Sequence, residues 1–153
     1  MEATVLSNAL ALTGLGLILA LSAAGSGIGF FITCSTAIGV IRKKPELFGT
    51  VLVLGAVPSS QGLYGFVAFI MYYAAASSVT TVMGGVIVFG MGLAVGVACM
   101  VTCIYQAKIC ASGVSAIGDG HNVLGNTLIL AAFPEFFAIL SLVGSILMLG
   151  FVK

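Results

Sequence analysis

Four long apolar blocks, separated by short polar breaks, constrain the fold of this chain more than any other feature. The blocks run roughly over residues 8–41, 48–76, 82–117 and 123–152. An α-helix rises about 1.5 Å per residue, so each block is long enough to cross the ~30 Å of hydrocarbon in a bilayer. The sequence therefore predicts an all-α membrane protein with four transmembrane helices. The first and third blocks exceed one crossing, so we expect those helices to tilt or to project beyond the bilayer.

The composition supports a chain surrounded by lipid. Only 6% of the 153 residues are charged and 61% are hydrophobic, and the mean hydropathy is +1.30. A soluble domain carries about a quarter of charged residues, which cover its surface. Five Lys and Arg against four Asp and Glu leave a net charge of +1. These numbers exclude a cytosolic enzyme, and they exclude a nucleic-acid-binding protein because no basic stripe can neutralise phosphates.

The breaks between the blocks are short. They are residues 42–46, 77–81 and 118–122. Links of this length make consecutive helices antiparallel neighbours. We therefore predict two tandem helical hairpins, residues 1–77 and 78–153. The first apolar block is too long for a signal-peptide core and no Lys or Arg precedes it, so we expect it to remain in the mature protein.

The basic run at residues 42–44 predicts the orientation. It holds three of the five positive charges of the chain, and short loops rich in Lys and Arg usually stay in the cytoplasm. Loops 42–46 and 118–122 are therefore expected to be cytoplasmic. Both termini and the loop at 77–81 then lie on the other side of the membrane.

The two hairpins are similar in sequence. Matching residues recur at an offset of 76 positions, namely Gly14 with Gly90, Cys34 with Cys110, Gly49 with Gly125 and Pro58 with Pro134. This repeat indicates a duplicated hairpin whose two copies run in the same direction, because two crossings separate them. The same offset places Ser59 where the second hairpin has Glu135, so only the second hairpin carries an acid at this position.

Glycine is concentrated in the first and third helices. Examples are Gly25, Gly27 and Gly29 in the first, and Gly90, Gly92 and Gly96 in the third. Small residues let two helix backbones approach closely in a membrane. Two interpretations stay open at this point: the two helices pair inside one four-helix bundle, or they form the inner wall of a ring of several copies.

Four cysteines lie inside apolar blocks: Cys34, Cys99, Cys103 and Cys110. A disulfide framework of loops is not expected in such segments. The spacing of Cys99 and Cys103 could hold a metal, but no His or carboxylate is near them in the sequence. We interpret all four as small buried apolar residues.

One acid, Glu135, lies inside an apolar block, about twelve residues from the start of the fourth block. At ~1.5 Å per residue it lies ~18 Å into the helix, near the middle of the membrane. A bare charge there costs at least ~2.5–3.5 kcal/mol. Gln61 and Gln106 reach the same depth on the second and third helices. The acid must therefore be neutralised, be paired or have a function.

The second helix offers further oxygen atoms at this depth. Ser60, Gln61 and Tyr64 are spaced i, i+1 and i+4, so Tyr64 lies one turn from Ser60. Pro58 removes one helical N–H, which leaves nearby carbonyls such as that of Val57 free to turn. Together with the acid, these groups predict a pocket of oxygen ligands. Hard cations prefer oxygen ligands, and one carboxylate matches the charge of one monovalent cation.

Other interpretations of the acid stay open. A protonated Glu135 that is hydrogen-bonded to the two glutamines would only join helices. Lys108 could pair with it, but it follows Gln106 by two residues and faces away, so we expect it to extend toward the cytoplasm. Two further classes also fit the residues: a self-contained four-helix transporter or channel, and a structural membrane protein.

These residues resemble those of the proteolipids of V-type rotary ATPases, the K or c-type ring subunits. The resemblance covers the whole chain and rests on the loop at 44–46, the run PSSQGLYGF at 58–66, QAK at 106–108 and Glu135. The run at 58–66 is similar to that of bacterial members that transport sodium. Ser60 stands where the best-known sodium members carry Thr, and Pro134 departs from the family pattern.

The resemblance implies a site and a function. The implied Na⁺ ligands are the Val57 carbonyl, Ser60, Gln61, Gln106 and Glu135, with Tyr64 donating a hydrogen bond to the acid. The implied protein is a non-catalytic rotor-ring subunit that translocates Na⁺, or alternatively H⁺, while other subunits hydrolyse ATP.

The resemblance also implies partners and a location. Identical copies form a homo-oligomeric ring in membrane lipid, and a stator subunit of the a or I type supplies an arginine. Central-stalk subunits contact the cytoplasmic loops. The implied location is a bacterial cell membrane.

Overall fold

The computed structural model describes residues 2–152. Over these residues the chain is helical apart from short links, and no strand is present. The α-helices are α1 (Glu2–Ile41), α2 (Phe48–Ala56), α3 (Ser60–Ala76), α4 (Val82–Gly118) and α5 (Leu124–Met148). Short 3-10 turns cover Pro45–Leu47, Val57–Ser59 and Leu149–Phe151.

Four helical segments in this part of the chain are long and apolar enough to span a membrane. In chain order, the first to fourth spans are Glu2–Ile41, Pro45–Ala76, Val82–Gly118 and Leu124–Phe151. The second span contains both α2 and α3. The predicted all-α fold with four transmembrane segments is therefore confirmed. Helical structure begins at Glu2, before the first apolar block, which was expected to start at residue 8. Glu2 stabilises the first turn because an acid there faces the positive end of the helix dipole.

The first and third spans make the most extensive helix–helix contact in the bundle. Glycines allow their backbones to touch: a Cβ on Gly14 would lie 2.5 Å from the Val88 carbonyl oxygen, and a Cβ on Gly25 would lie 2.5 Å from Met100 Cα. Such distances are too short for any larger residue. The close approach predicted from the glycine pattern is thus present between two spans of one chain, and the inner wall of a ring remains a prediction about several copies.

The second span is interrupted at Pro58. The α-helix ends at Ala56, a 3-10 turn follows, and a new α-helix begins at Ser60. Proline cannot supply the N–H that a continuous helix needs. The second proline of the repeat behaves differently, because Pro134 lies inside α5 without ending it. The two copies of the hairpin therefore differ at the depth of Glu135, where only the second span is broken.

The links between spans are held by local contacts. Thr81 caps α4, its hydroxyl oxygen accepting a hydrogen bond from the Gly84 N–H at 3.1 Å. The Ser7 hydroxyl donates to the Thr81 carbonyl at 3.0 Å and ties the start of the first span to this link. Gly120 has a φ of +98° in the link after α4, a conformation that glycine adopts without strain.

The cysteines follow the prediction with one exception. Cys99, Cys103 and Cys110 are buried and carry free thiols. Cys34 is also free, but it is partly exposed, so its assignment as a buried residue was wrong. It lies on α1, with its sulfur 3.4 Å from the position that a Cβ on Gly55 of α2 would take.

The outside of the bundle is apolar. Phe31, Phe133 and Leu147 are exposed over 71, 61 and 72% of their surfaces. Water-soluble monomers rarely show continuous apolar surface on this scale. Lipid tails and neighbouring apolar helices are the surroundings that such a surface requires.

Candidate ion-binding site

A chain of hydrogen bonds joins three spans at one depth. Gln61 Nε2 on the second span donates to Gln106 Oε1 on the third at 2.8 Å. Gln106 Nε2 then donates to Glu135 Oε2 on the fourth at 3.2 Å. The structure therefore brings together the three polar residues whose common depth the sequence indicated.

Tyr64 completes the contacts of the acid. Its hydroxyl donates to Glu135 Oε1 at 2.6 Å, within the range of hydrogen bonds between a hydroxyl and a charged carboxylate. Tyr64 and Gln106 approach different oxygens, so both sides of the carboxylate accept a hydrogen bond. This arrangement fixes the direction in which Glu135 points.

Three oxygens of the second span lie close together near its interruption at Pro58. The Ser60 hydroxyl is 3.2 Å from the Val57 carbonyl oxygen and 3.3 Å from Gln61 Oε1. These distances are those of hydrogen bonds that the Ser60 hydroxyl makes to its two neighbours. Oxygens are the ligands that hard cations prefer.

The Val57 carbonyl is held more tightly than its position before a proline predicts. It accepts hydrogen bonds from both the backbone N–H and the hydroxyl of Ser60. The 3-10 turn gives the reason, because the N–H three residues later, that of Ser60, takes the place of the N–H four residues later that an α-helix would offer to Val57. The expectation of a carbonyl free to turn is therefore wrong for Val57, although its oxygen does lie next to the Ser60 hydroxyl.

The two glutamines of this network are buried, so their hydrogen bonds replace those that water would make. Gln61 and Gln106 are 0% exposed, whereas Glu135 and Tyr64 are partly exposed. A buried amide without partners costs several kcal/mol in hydrocarbon. Among the described residues, every buried side-chain nitrogen and oxygen has a hydrogen-bond partner. The amide chain is thus a satisfied buried network that ends at an acid near the surface of the chain.

Lys108 takes no part in this network. Its side chain is exposed, and Nζ lies 5.5 Å from the centre of the Tyr105 ring. An ammonium over an aromatic ring gains a modest cation–π attraction. This position agrees with the prediction that Lys108 faces away from Gln106.

Three groups of the network were not singled out from the sequence. The Ala131 carbonyl accepts the second Gln106 N–H at 2.9 Å. Ser26 contacts the start of α3, and the Cys103 thiol contacts the Pro58 carbonyl. A primary amide has two N–H groups, so a second acceptor for Gln106 was to be expected, but no sequence signal says which carbonyl it is.

The fold and this network define a class of protein: an integral, multi-pass membrane protein made of a duplicated helical hairpin with one acid at mid-span. The family model for the ATP synthase C-subunit matches the chain twice, over residues 13–72 and 89–148. The two matches start 76 residues apart, which is the offset of the internal repeat. The chain belongs to the ATP synthase C-subunit family.

Two relatives agree with this assignment. The chain is 34% identical over 136 residues to the A-type ATP synthase subunit K of Methanocaldococcus jannaschii, covering 89% of this chain and 60% of that relative. It is 32% identical over 127 residues to the V-type sodium ATPase subunit K of Enterococcus hirae, covering 83% of this chain and 81% of that relative. The chain therefore spans less than two thirds of the first relative and most of the second.

Proposed function

We propose that this protein is a rotor-ring subunit of a V-type ATPase and that it carries Na⁺ on Glu135. In this role it is not itself an enzyme, because other subunits hydrolyse ATP. The observation that carries the proposal is the Glu135 carboxylate, held at mid-span by Tyr64 and by Gln106, which in turn bonds to Gln61. An unpaired charge is costly inside the membrane, so Glu135 needs an ion that neutralises it. That ion is the one the protein would carry.

The proposed Na⁺ ligands are five oxygen-bearing groups. They are the Val57 carbonyl, Ser60, Gln61, Gln106 and Glu135, with Tyr64 as a hydrogen-bond donor. Gln61 and Gln106 now bond to each other through N–H and oxygen. Ion binding would require the Ser60 hydroxyl hydrogen to turn away from the Val57 carbonyl and the Gln106 amide to present its oxygen, both of which are side-chain rotations.

The choice of Na⁺ over H⁺ rests on the sodium ATPase subunit among the relatives and on the oxygens of Val57, Ser60 and Gln61, which a proton carrier would not need. Tyr64 and Gln106 contact both oxygens of Glu135 and orient the acid for either ion. A ring that carries H⁺ on the same glutamate is the alternative.

The proposed mechanism is rotary. A carboxylate neutralised by Na⁺ can pass through lipid at low cost, whereas an empty one needs a partner cation. The sequence has one arginine, Arg42, which is exposed in a loop far from Glu135 along the chain. The cation that faces an empty Glu135 must then come from a stator subunit. Each charge moved against 100 mV costs about 2.3 kcal/mol, which ATP hydrolysis in other subunits supplies.

The remaining parts of the proposal concern the assembly. Copies of the chain form a ring, and their apolar outer surfaces are covered by lipid and by one another. Loops 42–46 and 118–122 face the cytoplasm and the central stalk. Residues 1–77 and 78–153 act as two hairpins of one unit, so each copy carries one ion for four helices.

Carbodiimide labelling of Glu135 tests this function. The reagent modifies a protonated carboxyl group in an apolar environment, so bound Na⁺ should protect Glu135 at neutral pH, and K⁺ should protect much less. Glu135→Gln provides the control that removes the labelled group. Labelling of Glu135 that Na⁺ does not slow would contradict the sodium proposal and favour the proton-carrying ring.

A further inference from the structure

The helix that carries Ser60, Gln61 and Tyr64 begins inside the membrane-spanning segment. The first N–H groups of an α-helix have no partner within that helix. The residue before α3, Ser59, would ordinarily supply a capping side chain, but it makes no such bond. Its hydroxyl donates instead to the Ala56 carbonyl at 2.6 Å. The Ser60 N–H bonds to the Val57 carbonyl in the preceding turn, whereas the Gly62 N–H takes its partner from another span.

Ser26 of the first span supplies that partner. Its hydroxyl oxygen accepts a hydrogen bond from the Gly62 N–H at 2.7 Å, and the hydroxyl lies 3.4 Å from the Ser59 carbonyl oxygen. Gly62 permits this approach, because a Cβ there would lie 2.9 Å from Ser26 Oγ. A serine of one span thus takes the place of the missing cap on another span, next to Gln61.

Cys103 of the third span holds the other side of the break. Its thiol donates to the Pro58 carbonyl with Sγ and oxygen 2.8 Å apart, and Sγ lies 3.9 Å from Ser26 Oγ. Cys103 is fully buried, so no water replaces this contact. Ser26 and Cys103 therefore contact the interruption of the second span from two neighbouring spans.

We propose that Ser26 and Cys103 are positioning residues for the ion site. They hold the first turn of α3 at a fixed height and rotation, and this turn places Ser60, Gln61 and Tyr64 toward Glu135. Neither residue is a ligand. The inference rests on the proposed function, since it concerns the Na⁺ affinity of the same site.

Ser26→Ala is the first test. With the purified full-length chain in its native oligomer, the Na⁺ concentration that half-protects Glu135 from carbodiimide should rise roughly threefold or more, as expected for loss of a helix cap. Ser22→Ala is the matched control, because Ser22 is buried one turn earlier and its hydroxyl donates within its own helix to Ile18. The control should leave the half-protecting concentration unchanged.

A pair of substitutions at Cys103 provides the second test. Cys103→Ser keeps a donor for the Pro58 carbonyl and should bind Na⁺ nearly as the wild type does. Cys103→Ala removes the donor and should weaken Na⁺ protection. Because serine and alanine are both smaller than cysteine, the difference between the two variants reports the hydrogen bond.

The outcomes separate this inference from the proposed function. If wild-type Glu135 shows no Na⁺ protection, the proposed function fails. If the wild type is protected and Ser26→Ala and Cys103→Ala are protected equally well, the positioning role is wrong, even where the variants melt at lower temperature. If Ser26→Ala does not assemble, the comparison of Cys103→Ser with Cys103→Ala decides.

Discussion

At the scale of single residues, the two oxygens of Glu135 have different donors on different spans. Tyr64 donates from the second span at 2.6 Å and Gln106 from the third at 3.2 Å. The shorter bond is made by the residue at the partly exposed edge of the site. Tyr64 therefore closes the side of the acid that faces out of the bundle, and Gln106 holds the side that faces in.

The substitution Tyr64→Phe isolates this outer contact. It keeps the ring and removes the hydroxyl that donates to Glu135. Hydrogen bonds to a charged group contribute ~1.5–3 kcal/mol, so we expect at least about tenfold weaker Na⁺ binding. Calorimetric titration of Na⁺ checks this, and an unchanged affinity would show that Tyr64 does not hold the acid.

The oxygen of Ser60 can be tested in a similar way. Ser60→Ala should weaken Na⁺ binding about fivefold, because one of the proposed oxygen ligands is lost at a cost of roughly 1 kcal/mol. Ser60→Thr retains the hydroxyl and should bind Na⁺ much as the wild type does. Equal affinities for the alanine and threonine variants in Na⁺ titration would remove Ser60 from the ligand set.

At the scale of elements, the first and third spans form the tightest pair. Gly92 contacts the backbone of Gly14 so closely that a Cβ has no space. The neighbouring Gly90 on the same helix has nothing within 4 Å of its Cβ position. Glycines on one helix therefore have different roles, according to the face on which they lie.

The pair Gly92→Ala and Gly90→Ala tests that distinction. The first variant forces the two backbones apart and should destabilise the bundle by ~1–3 kcal/mol. The second fills open space and should change stability little. Thermal unfolding in detergent, followed by circular dichroism, measures both, and equal stability of the two variants would contradict the close backbone contact.

The elements also show how far the sequence predicts the site. The common depth of Gln61, Gln106 and Glu135 follows from regular helical rise, so their meeting could be predicted. The hydrogen bonds of the Val57 carbonyl could not be predicted, because a 3-10 turn and an α-helical turn differ only in which N–H bonds to a given carbonyl. The contacts of Ser26 and Cys103 depend on helix rotation and on small differences in the spacing between helices, which no residue pattern specifies.

At the scale of the whole molecule, duplication leaves one acid for two hairpins. Ser59 occupies the position that corresponds to Glu135, and its hydroxyl is bonded to the Ala56 carbonyl of its own span. The first hairpin instead supplies Tyr64, which contacts the acid of the second directly, and Gln61, which is linked to it through Gln106. The two hairpins thus contribute different parts of one site, and the proposed unit carries one charge per chain.

Equilibrium binding of radioactive sodium to the purified native oligomer tests the central claim most directly. The account predicts saturable binding of one Na⁺ per chain, lost in Glu135→Gln and kept in Ser22→Ala. Binding that survives in Glu135→Gln, or a wild-type protein that labels with carbodiimide at Glu135 but takes up no sodium, would contradict it.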